Sequence, residues 1–235
     1  MMDITNLLPA DLHIYKKQWK CEIADHPISD YWKFCDLCDK EKNRLDLLAK
    51  CRKLDLATIE GYFGRKYGES FSIDDYHVEN QGQAEAKSKV SEYIEIAKKM
   101  KDGEWIEEKG LILYGKQGTG KNMLSNIVQY ELIKAGLRTH RDTQFNIYNK
   151  ILKDEATIRS YLQYDVLFVD EIGRISNTEP SRNTFFELMD TFKSKNKQIV
   201  LTTNLKEGMK DFIDLERLKE YMVIPFTWES SRGKK

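Results

Sequence analysis

Gly115-Lys116-Gln117-Gly118-Thr119-Gly120-Lys121-Asn122 is the stretch on which the reading of the fold turns. It follows the pattern G-x-x-x-x-G-K-[ST] in every letter but the last. In that pattern the loop backbone points N–H groups at phosphate oxygens and the lysine reaches the terminal phosphates. The closing Ser or Thr places a hydroxyl on magnesium, and here Asn122 stands instead. The flanks complete the context. Leu111-Ile112-Leu113-Tyr114 is a short apolar run that reads as a buried strand. Leu124, Ile127, Val128 and Leu132 recur at helical spacing, and Gly136 supplies a helix stop. Strand, loop and helix in this order set a helix N-terminus against an anion. The stretch therefore predicts nucleotide binding by Gly115 through Met123, with Lys121 on the terminal phosphates.

A second stretch, Asp165-Val166-Leu167-Phe168-Val169-Asp170-Glu171, is an apolar strand that ends in two carboxylates. In phosphoryl transfer the first acid helps to hold magnesium and the second prepares water. Taken alone it would equally be a strand running into a solvated acidic turn. Downstream of a phosphate loop, Asp170 is expected to hold magnesium and Glu171 to activate water. Gln198-Ile199-Val200-Leu201-Thr202-Thr203-Asn204 is a third apolar run, ending in an amide. Sites in parallel sheets lie at the carboxyl ends of the strands. Asn204 is thus expected to hold the attacking water or sense the γ-phosphate, with turn capping as the alternative.

The chain has 235 residues, enough for one large domain and a small appendage. No apolar run approaches the length of a membrane span, and the start lacks a secretory pattern, so a cytoplasmic protein without membrane attachment is expected. Charge is dense but balanced, with 38 basic and 38 acidic residues. A domain that lives on nucleic acid alone tends to be basic, so a protein partner should matter at least as much. The chain divides into residues 1–55, a connector over 56–80, and an α/β nucleotide-binding domain over 81–235 with a parallel sheet flanked by helices.

Residues 1–55 hold all four cysteines. Cys21, His26, Cys35 and Cys38 lie close together, with a C-x2-C pair at the end. A tetrahedral zinc site on these four would stabilise a segment too small for its own core. Outside an oxidising compartment such pairs favour metal or redox chemistry over disulfides. The competing reading is that these cysteines are small buried hydrophobes. Cys51 shares a helical stripe with Leu47, Leu48 and Leu54 and is read that way. Redox chemistry lacks its strand–helix context here.

Gly115–Asn122, Asp170-Glu171-Ile172-Gly173, Asn204, the tail Trp228-Glu229-Ser230-Ser231-Arg232 and the segment Phe71–Gln83 together resemble the DnaC-type replicative helicase loaders of the AAA+ class. The resemblance spans about residues 57–235. It is weaker over the N-terminal part, where loaders often carry a zinc module of similar spacing. Some loaders of this type also have Gly-Lys-Asn at the end of the loop. An amide oxygen can ligate magnesium or hold a bridging water, so Asn122 reads as a subfamily mark, and slow hydrolysis is compatible with it.

By position, the resemblance makes Arg217 an arginine finger acting on the nucleotide of a neighbouring subunit and Arg232 a sensor of the γ-phosphate. The family's further arginine is replaced by Ile213. It also implies ATP and Mg2+ as ligands, the hexameric replicative DNA helicase as partner of the N-terminal module, single-stranded DNA, and self-association on the helicase. Basic groups with aromatics suit single strands. His140, Arg141, Phe145, Tyr148 and Lys150, expected after the second strand, and Lys193, Lys195 and Lys197 are the candidate DNA contacts. Core packing and solvated helix ends are the alternatives. Two other readings keep the same ATPase core: an IstB-type transposition helper, and an adaptor that holds nucleotide without hydrolysing it.

Overall fold

The structure is a computed structural model and describes residues 57, 72–154, 156–176, 178–204 and 215–230. All of them belong to the unit Leu54–Lys235. Five strands build one sheet: β1 (Gly110–Gly115), β2 (Thr139–Thr143), β3 (Val166–Asp170), β4 (Gln198–Thr203) and β5 (Tyr221–Phe226). Every pairing is parallel, and the order is β2-β3-β4-β1-β5. The described helices are α1 (Gln81–Lys98), α2 (Lys121–Lys134), α3 (Gln144–Lys153), α4 (Ala156–Tyr161), α5 (Glu179–Ser194) and the single turn α6 (Leu215–Leu218).

The middles of the central strands are apolar because both faces of the sheet are covered. Side chains alternate between two cores. Leu111, Leu113, Val166 and Phe168 pack with α1 and α2, through Val90, Tyr93, Leu124 and Ile127. Ile112, Leu167 and Val169 pack with α3, α4 and α5, through Ile147, Ile158, Phe185 and Leu188. The stripe expected on the helix after the loop, Leu124, Ile127, Val128 and Leu132, is wholly buried. Gly136 ends that helix in left-handed backbone at φ 97°. Its N–H donates to the Ile133 carbonyl and the Leu137 N–H to the Leu132 carbonyl, which satisfies carbonyls left open at the helix end.

Two differences from the sequence reading stand out. The described part of the expected connector is built into the domain. Ser72 caps a 3-10 turn at Ile73–Asp75, and Tyr76 belongs to the core around α1 and α2. The sequence hid this, because the anchoring residue is one aromatic among mostly polar neighbours. Second, His140 and Arg141 lie inside β2 and not after it. β2 is Thr-His-Arg-Asp-Thr, too polar to register as a strand by apolar periodicity.

β2 and β5 are the two edges of the sheet. Among the described residues β2 pairs with β3 alone, and an arginine–aspartate pair closes each end of that ladder. At the entrance, Arg138 donates to both Asp165 oxygens through its side chain (2.8 and 3.2 Å) and again through its backbone N–H (2.9 Å). Lys197 adds a contact at 3.2 Å. At the exit, Arg141 meets Asp170 at 2.8 Å.

Burial alone would push the Asp165 carboxyl up, but the Arg138 hydrogen bonds and the charges of Arg138 and Lys197 outweigh it and hold the group below the ordinary carboxylate range. A carboxyl depressed in the fold stabilises it above the unfolded pKa, and that contribution is lost as pH falls through the lower folded value. The urea midpoint of the native chain should therefore decline as pH falls below about 4. Asp165→Asn should start lower at neutral pH and decline less steeply over that window. Parallel curves for the two proteins would show that this pair does not contribute.

Candidate functional site

The carboxyl ends of β1, β3 and β4 open into a cleft of about 580 Å3, within the size range of small-molecule sites. Residues 117–123 of the phosphate loop form one wall, Glu171, Arg174, Thr202, Thr203 and Asn204 another, and Tyr76 and Gln83 a third. The sheet order explains this meeting. β4 stands between β1 and β3, so the loop after β1 and the acids after β3 face each other across the end of β4.

The loop is held by its own side chains. Lys121, only 5% exposed, donates to the carbonyls of Gly115 and Lys116, both at 2.7 Å. Thr119 donates to the Lys116 carbonyl at 2.8 Å. Gly118 and Gly120 take φ of 82° and 96°, a region open to glycine and strained for most other residues. Gly120 caps α2 with no side-chain bond, so the first-turn N–H groups keep their capacity for an anion. Tyr76 packs against Gly120, its hydroxyl 3.3 Å from where a Cβ would stand. Burial, then the Glu79 charge, pushes the Tyr76 phenol up to about 12, so it stays a neutral donor. Trp228, just beyond β5, donates its indole N–H to the Thr119 carbonyl at 2.9 Å and packs on Phe226 with ring centres 4.7 Å apart. Asn122 is exposed and lines the cleft.

The two acids behave differently. Glu171 has φ 63°, a left-handed conformation uncommon outside glycine. Its carboxylate lies 2.7 Å from Arg174, and its N–H faces the Thr202 hydroxyl at 3.4 Å. Asp170 is covered. Arg141 reaches both its oxygens, at 3.0 and 2.8 Å, and the Thr202 hydroxyl donates to it at 2.9 Å. Arg141, Arg174, Tyr76 and Thr202 are parts of the site that motif reading did not assign. Arg174 lies three residues after Glu171 in a turn, and no local pattern announced the pair.

The remaining expected residues fall in several places. Asn204 is exposed at the cleft. Arg217 is bound to Asp190 of α5 at 2.7 Å, stacks over Phe186 and does not line this chain's cleft. Arg232 and the quartet Cys21, His26, Cys35 and Cys38 lie outside the described residues. Among the described residues no group of three or more His, Cys, Asp or Glu could hold a metal ion. No helix among them is long and apolar enough to cross a membrane.

Of the candidate DNA contacts, His140 stacks on Tyr164 with ring centres 4.8 Å apart. Lys150 pairs with Asp142 at 2.5 Å, Lys193 with Glu220 and Lys197 with Asp165. Tyr148 is half-buried, whereas Phe145 and Lys195 are exposed.

The family model of the IstB-like ATP binding protein matches residues 72–213. The replicative helicase loader DnaC of Buchnera aphidicola subsp. Baizongia pistaciae is 25% identical over 241 residues, covering 94% of this chain and 95% of that protein. DnaC of Escherichia coli K12 is 27% identical over 184 residues, covering 72% of each chain. Among solved structures, a DnaC helicase loader crystal structure superposes with a TM-score of 0.55 at 17% identity, covering 66% of this chain and 95% of that one. The replication initiator DnaA bound to AMPPCP and single-stranded DNA gives 0.56 at 18% identity, covering 68% of this chain and 50% of that one. At those identities the structural likeness speaks for the fold.

Proposed function

Because the chain belongs to the family of IstB-like ATP-binding proteins, with the AAA+-type α/β fold described above, we propose that it is an ATP-dependent loader that binds the hexameric replicative helicase and helps to place it on single-stranded DNA. The observation that carries this reading over a transposition helper is the extent of the match to a helicase loader. It runs along 94% of the chain and so includes residues before the ATPase core.

The cleft supports ATP hydrolysis by positioning and charge, the main resources of phosphoryl transfer. Loop N–H groups and Lys121 receive the β- and γ-phosphates, for which Lys121 exchanges its present carbonyl partners. Glu171 orients water and takes its proton, and Asn204 steadies that water. Asp170 and the Asn122 amide fit a magnesium ion by donor chemistry, both being oxygen ligands. The ion would supply charge neutralisation on the phosphates. In this reading Arg217 leaves Asp190 to reach a neighbour's nucleotide, and residues 1–55, with zinc on Cys21, His26, Cys35 and Cys38, hold the helicase.

The test is co-purification of the full chain with the replicative helicase of the same cell, with and without ATP, followed by native mass measurement. A complex containing one helicase hexamer and several copies of this chain is expected. No complex with helicase under either condition, together with capture of a transposase, would replace the loader by the transposition helper.

A further inference from the structure

Arg141 was a candidate for DNA, but its donors are spent inside the domain. Its Nε donates to the Gln129 Oε1 at 2.8 Å. One terminal nitrogen donates to the Ser125 carbonyl and hydroxyl at 3.1 and 3.0 Å. The other donates to both Asp170 oxygens. All three nitrogens of the guanidinium are thus engaged within the domain. The group also lies over the Phe168 ring, 4.7 Å from its centre. Ser125 and Gln129 sit on one face of α2, so Arg141 ties the helix that follows the phosphate loop to the acid that ends β3.

The consequence falls on Asp170. Both its oxygens are occupied, and it does not line the cleft although Glu171 and Thr202 do. A phosphate site commonly holds magnesium through one or two carboxylates and a hydroxyl. Here the hydroxyl position is the neutral amide of Asn122, and the carboxylate is neutralised by a guanidinium. At the Asp170 position a divalent cation thus meets a carboxylate already paired with a guanidinium.

We infer that Arg141 sets the divalent-cation affinity of the nucleotide site, standing as the counter-charge of Asp170 and competing with magnesium for that carboxylate. Arg141 is a positioning residue and touches no reacting atom. The chain takes up ATP with little help from the cation, and the cation gains its full hold only when Asp170 exchanges partners. This inference rests on the reading that the cleft binds ATP.

The experiment uses the full chain saturated with ATP and measures Mn2+ affinity by electron paramagnetic resonance. ATP binding is measured separately in EDTA. Outer-shell changes alter metal affinity by about 10- to 100-fold, usually as a loss. Because Arg141 competes for the ligand and does not orient it, Arg141→Gln should instead bind Mn2+ about tenfold more tightly than the native chain. Arg141→Lys, which keeps the charge, should stay near the native value. Equal or weaker Mn2+ binding by Arg141→Gln overturns the inference. If that variant does not fold, Asn122→Thr decides. It restores the hydroxyl while Arg141 still holds Asp170, so it should raise Mn2+ affinity only slightly, and a gain of about tenfold overturns the inference. Absence of ATP binding by the native chain in any condition defeats the ATPase reading and this one with it. ATP binding with unchanged cation affinity defeats this one alone.

Discussion

Glu171→Gln should lower the ATP hydrolysis rate by about 10²- to 10⁴-fold, the usual contribution of a positioned general base, and leave ATP affinity almost unchanged. The substitution keeps the shape and removes the proton acceptor. The geometry favours Glu171 over Asp170 for this task. Its carboxylate reaches the cleft, whereas that of Asp170 is enclosed by Arg141 and Thr202. Its left-handed backbone is a local strain of the kind that persists where surrounding structure holds a functional side chain in place. Single-turnover phosphate release, with helicase and DNA present, measures the rate, and a fluorescent ATP analogue measures affinity. An unchanged rate would move the base elsewhere. No turnover by the native chain under any of these conditions would favour the non-hydrolysing adaptor.

Gly115→Ala should be among the most damaging single substitutions in the described domain. Gly115 has φ 140°, and a Cβ there would stand 2.2 Å from the Phe226 carbonyl oxygen and 2.9 Å from its Cβ. These are neighbours across the β1–β5 ladder, so neither can yield without parting the strands. Overpacking and backbone strain together should cost about 3 kcal/mol, which for a chain of this size lowers the melting temperature by about 10 °C. ATP binding should weaken as well, because the Gly115 carbonyl anchors Lys121 and Phe226 carries Trp228, which bonds the loop. Thermal unfolding followed by circular dichroism checks the first effect. A melting temperature within about 2 °C of native would show that the strands accommodate the methyl.

The phosphate loop, β3 and β4 were legible in the sequence because each is an apolar run ending in a chemically distinctive residue. The helix after the loop was legible because its buried stripe has a helical period and its glycine stop is unambiguous. β2 was not, since it is an edge strand whose side chains are half-buried and charged. For the same reason Arg141 looked like a surface cation. Its partners come from α2 and β3, far away in sequence, and no local pattern announces a pairing of that range. Tyr76 escaped likewise, being a lone aromatic held by tertiary packing. The motif points to both acids, but that Asp170 is the less exposed of the two and paired with Arg141, and Glu171 with Arg174, depends on the fold.

The two sheet edges bear on how copies of the chain can meet. An open edge strand is a template for pairing with another chain. At one edge the strand is Thr-His-Arg-Asp-Thr, a polar strand whose Arg141 and Asp142 are already paired within the domain. At the other, Pro225 within β5 lacks an N–H to donate. Among the described residues both edges thus disfavour a neighbour's strand. Assembly of this domain through side-chain surfaces and loops would form and release with a bound ligand more readily than a shared sheet.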